Sequence, residues 1–456
     1  MPGNAVVYPA PEGAEPSDLY ALRVDGREVF VHACPCAGYA SFALTGPAEV
    51  EIEAQFPIRE VKIRPLNRRV EAAVQGNRVR FGLDGPAHLS LEPDGDLSRP
   101  LFIFADAPDP DPPSPGDPNV RCFEAGRVHR PGLMTLRDGE TVYIEGGAVV
   151  QGAVLAEGAS DVAVRGRGIL DGSLWPDGGK DRGPWLIQFI DCRDIRVEGI
   201  TAVESPRWTL PLVGCSGARV SGVKIISWLV VRDGIDIVGS RDVVVEDCFI
   251  RTADDCVALK ATTHIHESGT RDIENVRVRR CVLWNAKPGN ALEIGYETRC
   301  DAMRDIVFQD CDVIHAEFEG YQSGAVFSIH NCDRATVSDV LYEDIRVEDA
   351  REKLIDVKIF YTPRCSRDDR RGHVRNIRFK DIRVVDGPFP VSIIQGCDPD
   401  HMIEEVTVEG LTIHGRPIAD ASAARMVVEL TRGLRFTPGV TSDGRILPAR
   451  PERPVA

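Results

Sequence analysis

Two runs rich in Val and Ile, together reading VRDGIDIVGSRDVVVEDCFIRTADDCVALK over residues 231–260, carry Asp233, Asp236, Asp254 and Asp255 at their edges. Carboxyl groups held close together repel, so at least one keeps its proton near neutral pH while another ionises. That pairing supplies an acid and a base at one place. Cleavage of a glycosidic bond needs both: one group protonates the leaving oxygen and the other activates water or attacks carbon. Asp236 alternates with Ile235 and Ile237 and reads as a turn-associated residue of strand ends, which leaves Asp233, Asp254 and Asp255 as the candidate catalytic set. In a regular strand Asp254 and Asp255 would face opposite sides and bury one charge, so the pair is expected at a bend. The competing use, a calcium site, needs about six to eight oxygen ligands, and the neighbouring sequence offers too few acids.

The elements that must position these groups follow from an internal repeat. The pattern V-x-V-x-[G/D/R]-apolar recurs in IRVEGI, ARVSGV, VVVEDC, VRVRRC, IVFQDC, LYEDI, IRFKDI and VTVEGL, placing Ile200, Val223, Cys248, Cys281, Cys311, Ile345, Ile382 and Leu411 at one phase. Short strands repeating every 20 to 50 or so residues, with no amphipathic helix between them, mark a β-solenoid. A second β-sandwich would instead need two-residue hairpin turns. The expected fold is all-β, a parallel β-helix in which the repeat residues form an inward column and the cysteines are packing residues. The interval of 21 residues between Asp233 and Asp254 is close to the shortest coils, so the two are expected at corresponding points of neighbouring coils.

Residues 1–105 show short alternating segments such as ALRVDGREVFVHA and RVRFGL, broken by Gly, Pro and Asn, and are expected to form a small β-sandwich. The Pro/Asp-rich stretch 106–120 reads as a linker, and 121–456 as the solenoid with a C-terminal tail. The chain has 456 residues and a net charge of 54 − 70 = −16, which argues against nucleic acid or an anionic membrane as a general partner while leaving room for a local cationic pocket. The N-terminus lacks the basic and apolar regions of a leader, and no long apolar run follows, so a soluble, cytoplasmic protein is expected. Thirteen scattered cysteines read as free thiols. Cys34 and Cys36 lack the spacing of a zinc site.

SPRWTLPLVGC (205–215), RDGIDI (232–237) and ADDCVALK (253–260), preceded by GRGILDGS (166–173), resemble the motif series of glycoside hydrolase family 28, the polygalacturonases and their relatives, over roughly residues 125–300. The resemblance implies a right-handed β-helix and single-displacement hydrolysis with inversion. It also implies Asp254 as general acid, with Asp233 and Asp255 holding and activating water. Two motifs depart from it: Gly289-Asn290-Ala291 stands for the family's Gly-His-Gly, and Ser328-Ile329-His330 for its Arg-Ile-Lys. Losing an Arg and a Lys removes the strongest recognition of a uronate carboxylate, unless Lys260, Lys287, Arg299 or Lys358 replaces it. Family 49, which joins a β-sandwich to a β-helix with three aspartates, is also similar and implies a neutral glucan. A β-helix polysaccharide lyase, or a binding β-helix without turnover, are the other readings.

The expected partner is an oligosaccharide or polysaccharide, with no cofactor. Asn290 and Glu293 alternate along one strand and are expected to contact it, as are Lys260 and His330. Trp208 and Tyr296 are candidate stacking platforms. His264 and His266 have a metal-compatible spacing without an evident third ligand. EFEGYQSG (317–324) is expected to line the groove, and Asp368, Asp369, Arg370 and Arg371 to form a solvated charged turn.

Overall fold

The computed structural model describes residues 4–114, 116–175, 183–317 and 324–438. Residues 318–323 of the expected groove loop and the tail 439–456 lie outside the described residues.

Strands from Ala5–Val7 to Leu101–Asp106 form two sheets, of six and five strands, packed face to face. Alternation drives this: in Tyr20–Val24 and Arg78–Leu83 every second side chain is buried, as a sheet with one wet face requires. Leu22, Val24, Val50, Ile52, Phe81 and Leu89 fill the space between the sheets. No strand lies between Asp106 and Val120 among the described residues.

From Val120–Phe123 onward the chain coils as a right-handed parallel β-helix with three faces. One representative coil contributes Arg241–Glu246 to a first sheet, Phe249–Thr252 to a second and Val257–Ala261 to a third. Each strand pairs in parallel with its equivalent one coil on. The Gly, Asp or Arg of the repeat is the residue at which the first sheet turns into the second. Gly199, Gly222, Asp247, Arg280, Asp310, Asp344, Asp381 and Gly410 all have φ between 52° and 74°, the left-handed region open mainly to Gly and to short polar residues. The apolar residue after each one drops into the interior, where all eight, including Cys248, Cys281 and Cys311, belong to one continuous core. All thirteen cysteines are free.

The sandwich covers the second face. Phe102 and Phe104 meet Phe249 with ring centroids 5.0 and 5.2 Å apart, and Trp284 and Ile226 join the same cluster. Buried ion pairs flank it: Lys224 reaches Asp106 at 2.7 Å, and Arg64 reaches Glu92 at 3.1 Å and Glu348 at 2.6 Å. Arg64–Glu348 and Lys224–Asp106 join the two domains, so the second face is covered while the third stays open.

Candidate active site

The third-sheet strands alternate strictly. Ile235 and Ile237, Val257 and Leu259, Leu292 and Ile294, and Phe327 and Ile329 enter the core. The intervening residues form two outward columns, Asp236, Ala258, Glu293, Ser328 and Asp356, and beside it Val238 and Lys260, then Gly295, His330 and Lys358. Asp236 is therefore not a turn residue; it stands mid-strand on the outer face, because alternation with buried isoleucines is what an outward side chain requires.

The catalytic candidates lie just before these strands. Asp254 occupies a bend between Phe249–Thr252 and Val257–Ala261, and Asp255 follows it. The register pairs Ile235 with Val257, and Gly234 N donates to Asp255 O at 2.8 Å. Asp233 thus aligns with Asp255, 22 residues on, and not with Asp254 as the 21-residue interval suggested. Asn290 continues the column, its backbone carbonyl accepting from Cys256 N at 2.9 Å.

Two glycines allow this crowding. A Cβ on Gly234 would lie 2.4 Å from Cys256 O, and one on Gly289 would lie 2.1 Å from the carbonyl carbon of Asp254. The Asp-Gly-x-Asp motif and the Gly before Asn290 are places where one coil's backbone touches the next.

Lys260 is the counter-charge. Its ammonium donates to Asp233, to Asp236 Oδ1 at 2.9 Å, and lies 3.4 Å from Asp255 Oδ2. Burial works against that charge, but Asp233, Asp236 and Asp255 outweigh it and hold the Lys260 pKa well above its usual value. Burial raises Asp233 well above the ordinary carboxylate range against the pull of Lys260, and raises Asp236 to about 6. Asp233 Oδ1 and Asp236 Oδ2 are buried with no donor, a state that a proton shared between the two carboxyls relieves. Asp254 is half-buried and raised to about 6, by burial first and then by the charge of Asp255. Its Oδ2 accepts from Val231 N at 2.8 Å. Asp255 Oδ1 accepts from both Asn290 N and Asn290 Nδ2 at 2.9 Å.

Asp233, Asp254 and Asp255 line one cleft of about 540 Å³ together with Trp185, Arg207, Trp208, Lys260, His264, Asn290, Tyr296, Glu297, Arg364 and Arg367. A larger cleft of about 640 Å³ lies beside the first sheet and the linker, but no Trp or Tyr lines it and the clustered carboxyls are absent from it. Chemistry, not volume, decides between the two.

The remaining candidates divide by position. Trp208 lines the cleft beneath the Lys260 ammonium, 4.4 Å from its ring centroid. Asn290 is buried, donating to Asp255 and accepting through Oδ1 from Ser328 Oγ at 2.7 Å and from two backbone amides. Glu293 and His330 are fully buried under the cleft wall. His330 Nδ1 meets Glu293 at 2.9 Å and its Nε2 lies 3.3 Å from Asp356. Burial disfavours the imidazolium, yet these two carboxylates outweigh it and raise its pKa to about 9. The Tyr296 ring stacks on that imidazolium, 4.5 Å away and 12° from parallel. His264 lines the cleft against Trp208, whereas His266 caps a short 3-10 turn at Glu267–Thr270. No group of three or more potential metal ligands occurs among the described residues. Asp368 pairs with Arg334 at 2.9 Å and with Arg370 at 3.5 Å.

Sequence reasoning missed Asp236 as a member of the cluster, and Trp185, Arg207, Glu297, Arg364 and Arg367 as cleft residues. Asp236 had a usable signal, the same alternation that marks Lys260 and Glu293 as outward. Glu297 lies near the end of the strand Leu292–Thr298; Trp185, Arg207, Arg364 and Arg367 stand on loops, which carry no period.

A model of glycosyl hydrolases family 28 matches residues 136–428. A probable polygalacturonase of Arabidopsis thaliana is 27% identical over 173 residues, spanning 36% of this chain and 33% of that protein. A polygalacturonase of Juniperus ashei is 25% identical over 240 residues, 49% of this chain and 44% of that protein. The chain thus spans less than half the length of these two curated relatives. Among solved structures, Dex49A from Penicillium minioluteum superposes with a TM-score of 0.68 at 13% identity, covering 95% of this chain and 96% of that one. An exopolygalacturonase from Thermotoga maritima gives a TM-score of 0.52 at 16% identity, covering 70% and 85%. At these identities the superpositions establish the fold.

Proposed function

The chain belongs to glycosyl hydrolase family 28, and on that premise we propose that it hydrolyses glycosidic bonds of an oligosaccharide or polysaccharide bound across the Asp233–Asp254–Asp255 cleft. Asp254 gives its proton to the leaving oxygen. A water attacks the anomeric carbon and passes its proton to Asp255, while Asp233, sharing a proton with Asp236, orients that water. One displacement inverts the anomeric configuration. The observation that carries this reading is the contrast between adjacent residues in one cleft. Asp254 is anchored by a single amide and raised to about 6, whereas Asp255 is fixed as an acceptor by two N–H donors of Asn290. Environments that separate two neighbouring carboxyls in this way assign acid and base.

The test is a screen of the purified protein against uronic and neutral oligosaccharides, reading new reducing ends, with Asp254→Asn in parallel. The variant is expected to lose about 10²–10⁴-fold in turnover while melting as a folded protein. Proton NMR of the first-released anomer checks inversion. Near-wild-type turnover by the variant refutes the acid assignment, and a retained anomer refutes the single displacement.

A further inference from the structure

We infer that Val231 is a positioning residue for the acid: its left-handed backbone aims an N–H at Asp254 Oδ2, and its apolar side chain keeps water from the same carboxyl. This rests on the hydrolytic reading above, in which Asp254 protonates the leaving oxygen.

The backbone conformation is the first observation. Val231 has φ 63°, in the left-handed region, where a β-branched side chain crowds its own backbone. Most other non-glycine residues with such a φ in the described chain are Asp or Asn, and Val231 is the one β-branched residue among them. A conformation of this kind persists only where the surroundings over-determine it.

They do so here. Ser227 N donates to Arg251 O at 2.8 Å, and the Arg251 guanidinium donates back to Ser227 O at 2.6 Å. Ser227 Oγ ties the loop to Arg232 O at 3.2 Å, and Asp233 O accepts from Thr209 N of the preceding coil at 2.8 Å. The acid is fixed from its own side, its backbone carbonyl accepting from Thr252 Oγ1 at 2.6 Å and from Asn285 Nδ2 at 2.8 Å. Between these two held segments runs the bond from Val231 N to Asp254 Oδ2, 2.8 Å long.

That bond selects an oxygen. A carboxyl oxygen that accepts from an N–H is the poorer site for a proton, so Oδ1 carries the one passed to the leaving oxygen. The side chain adds a second effect. Gly, Asn or Asp would take this φ with less strain, yet the residue is Val, 37% exposed and lining the cleft with Asp254 and Pro288. Its isopropyl group withholds water from the carboxyl, in keeping with burial as the first cause that raises Asp254 to about 6. The N–H favours the ionised acid and the side chain favours the protonated one. Asp255, Asp233, Asp236 and Lys260 act on the same carboxyl, with Arg232 and Lys287 on the flanking loops and Arg207, His264, Glu297, Arg364 and Arg367 along the cleft. All of these stay in place in the variants below, so a changed titration reports Val231.

The experiment uses the full chain with Val231→Gly, with Val231→Asn, and with Val231 replaced by its α-hydroxy acid, which exchanges the N–H alone for an ester oxygen. Three quantities are read: the thermal midpoint, the Asp254 carboxyl titration by carbon NMR assigned with Asp254→Asn, and kcat/KM against pH on a saccharide that the wild-type protein cleaves. Gly and Asn fit the left-handed backbone, so both variants should melt at or above the wild-type temperature. Their Asp254 titration and the basic limb of kcat/KM should move to lower pH by about one pH unit, which lowers kcat/KM about tenfold at pH 7 and by less toward pH 5. The ester should move both to higher pH by about one pH unit and lower the plateau kcat roughly tenfold with little change in KM. Melting well below wild type in both side-chain variants would make Val231 an ordinary packing residue. A titration that stays in place, or that moves the same way in all three proteins, overturns the inference. If the wild-type protein releases no reducing ends from any saccharide, the hydrolytic reading fails, while the melts and the carboxyl titration still decide what Val231 does to Asp254.

Discussion

Lys260 and Asp236 stand one coil apart on the outer face of the third sheet, and Nζ donates to Oδ1 at 2.9 Å. The same ammonium bonds Asp233 and lies 3.4 Å from Asp255, so one buried cation holds three carboxyls in register. Removing a partner from a buried ionic cluster costs more than the cluster contributes, because the remaining charges are left uncompensated.

Lys260→Met should therefore cost about 3–5 kcal/mol of folding stability, read by urea denaturation, and raise the carboxyl titrations further. Turnover at pH 7 should fall by about 100-fold or more, with the pH profile displaced upward, because carboxyls that have lost the cation hold their protons to higher pH. An unchanged pH profile in this variant would show that the ammonium does not tune the cluster.

Burial, and then the charge of Asp255, raise the Asp254 carboxyl to about 6 in the folded protein, above the ordinary carboxylate range. As general acid it must be protonated, so kcat/KM should decline as pH rises above 6. The folded state binds this proton more tightly than the unfolded chain, so the associated stability is complete below pH 4 and is lost as pH rises through 6. Asp254→Asn should remove that loss. Its thermal midpoint is expected to exceed that of wild type at pH 8, by the equivalent of about 2 kcal/mol after discounting for the half-exposed position, and the difference should shrink toward pH 4. Parallel melts at both pH values decide it.

The Tyr296 ring lies flat on the His330 imidazolium, which presents one aromatic face toward the cleft. Tyr296→Ala should raise KM roughly 3- to 10-fold with little change in kcat. His330→Gln should do the same indirectly, since it leaves Glu293 and Asp356 without their shared cation and frees the ring. Steady-state kinetics that show a kcat loss without a KM change would place Tyr296 in the chemical step.

Gly289 lies against the backbone of Asp254 and Asp255, where a Cβ would come within 2.1 Å of the Asp254 carbonyl carbon. Gly289→Ala must push that bend outward. A displacement near 1 Å at the acid should cost on the order of 100-fold in turnover, while circular dichroism still reports the β-helix. Wild-type turnover in this variant would mean that Asp254 does not need its observed position.

Much of the fold was legible because it is local. The left-handed turn residue and the apolar residue after it recur in each coil, and that phase exposes the solenoid, the inward cysteine column and the bend at Asp254 and Asp255. The alternation of the third-sheet strands is equally local, but alternation with buried Ile235 and Ile237 says only that Asp236 faces outward, not what that outer face meets. A solenoid's outer face is a groove floor wherever nothing covers it, and which face stays uncovered depends on where the sandwich docks.

The sequence by itself determined the two architectures, the family resemblance and the three aspartates, all of which rest on short-range periodicity and compact motifs. Only the tertiary structure decided that Asp233 aligns with Asp255, that Lys260 ties Asp236 into the cluster, and that Trp185, Arg207, Arg364 and Arg367 reach the same cleft. These last four come from loops as far as 182 residues apart in the chain. Loop lengths between strands vary freely, so no period in the sequence encodes which loops meet; stacking of the coils brings them together.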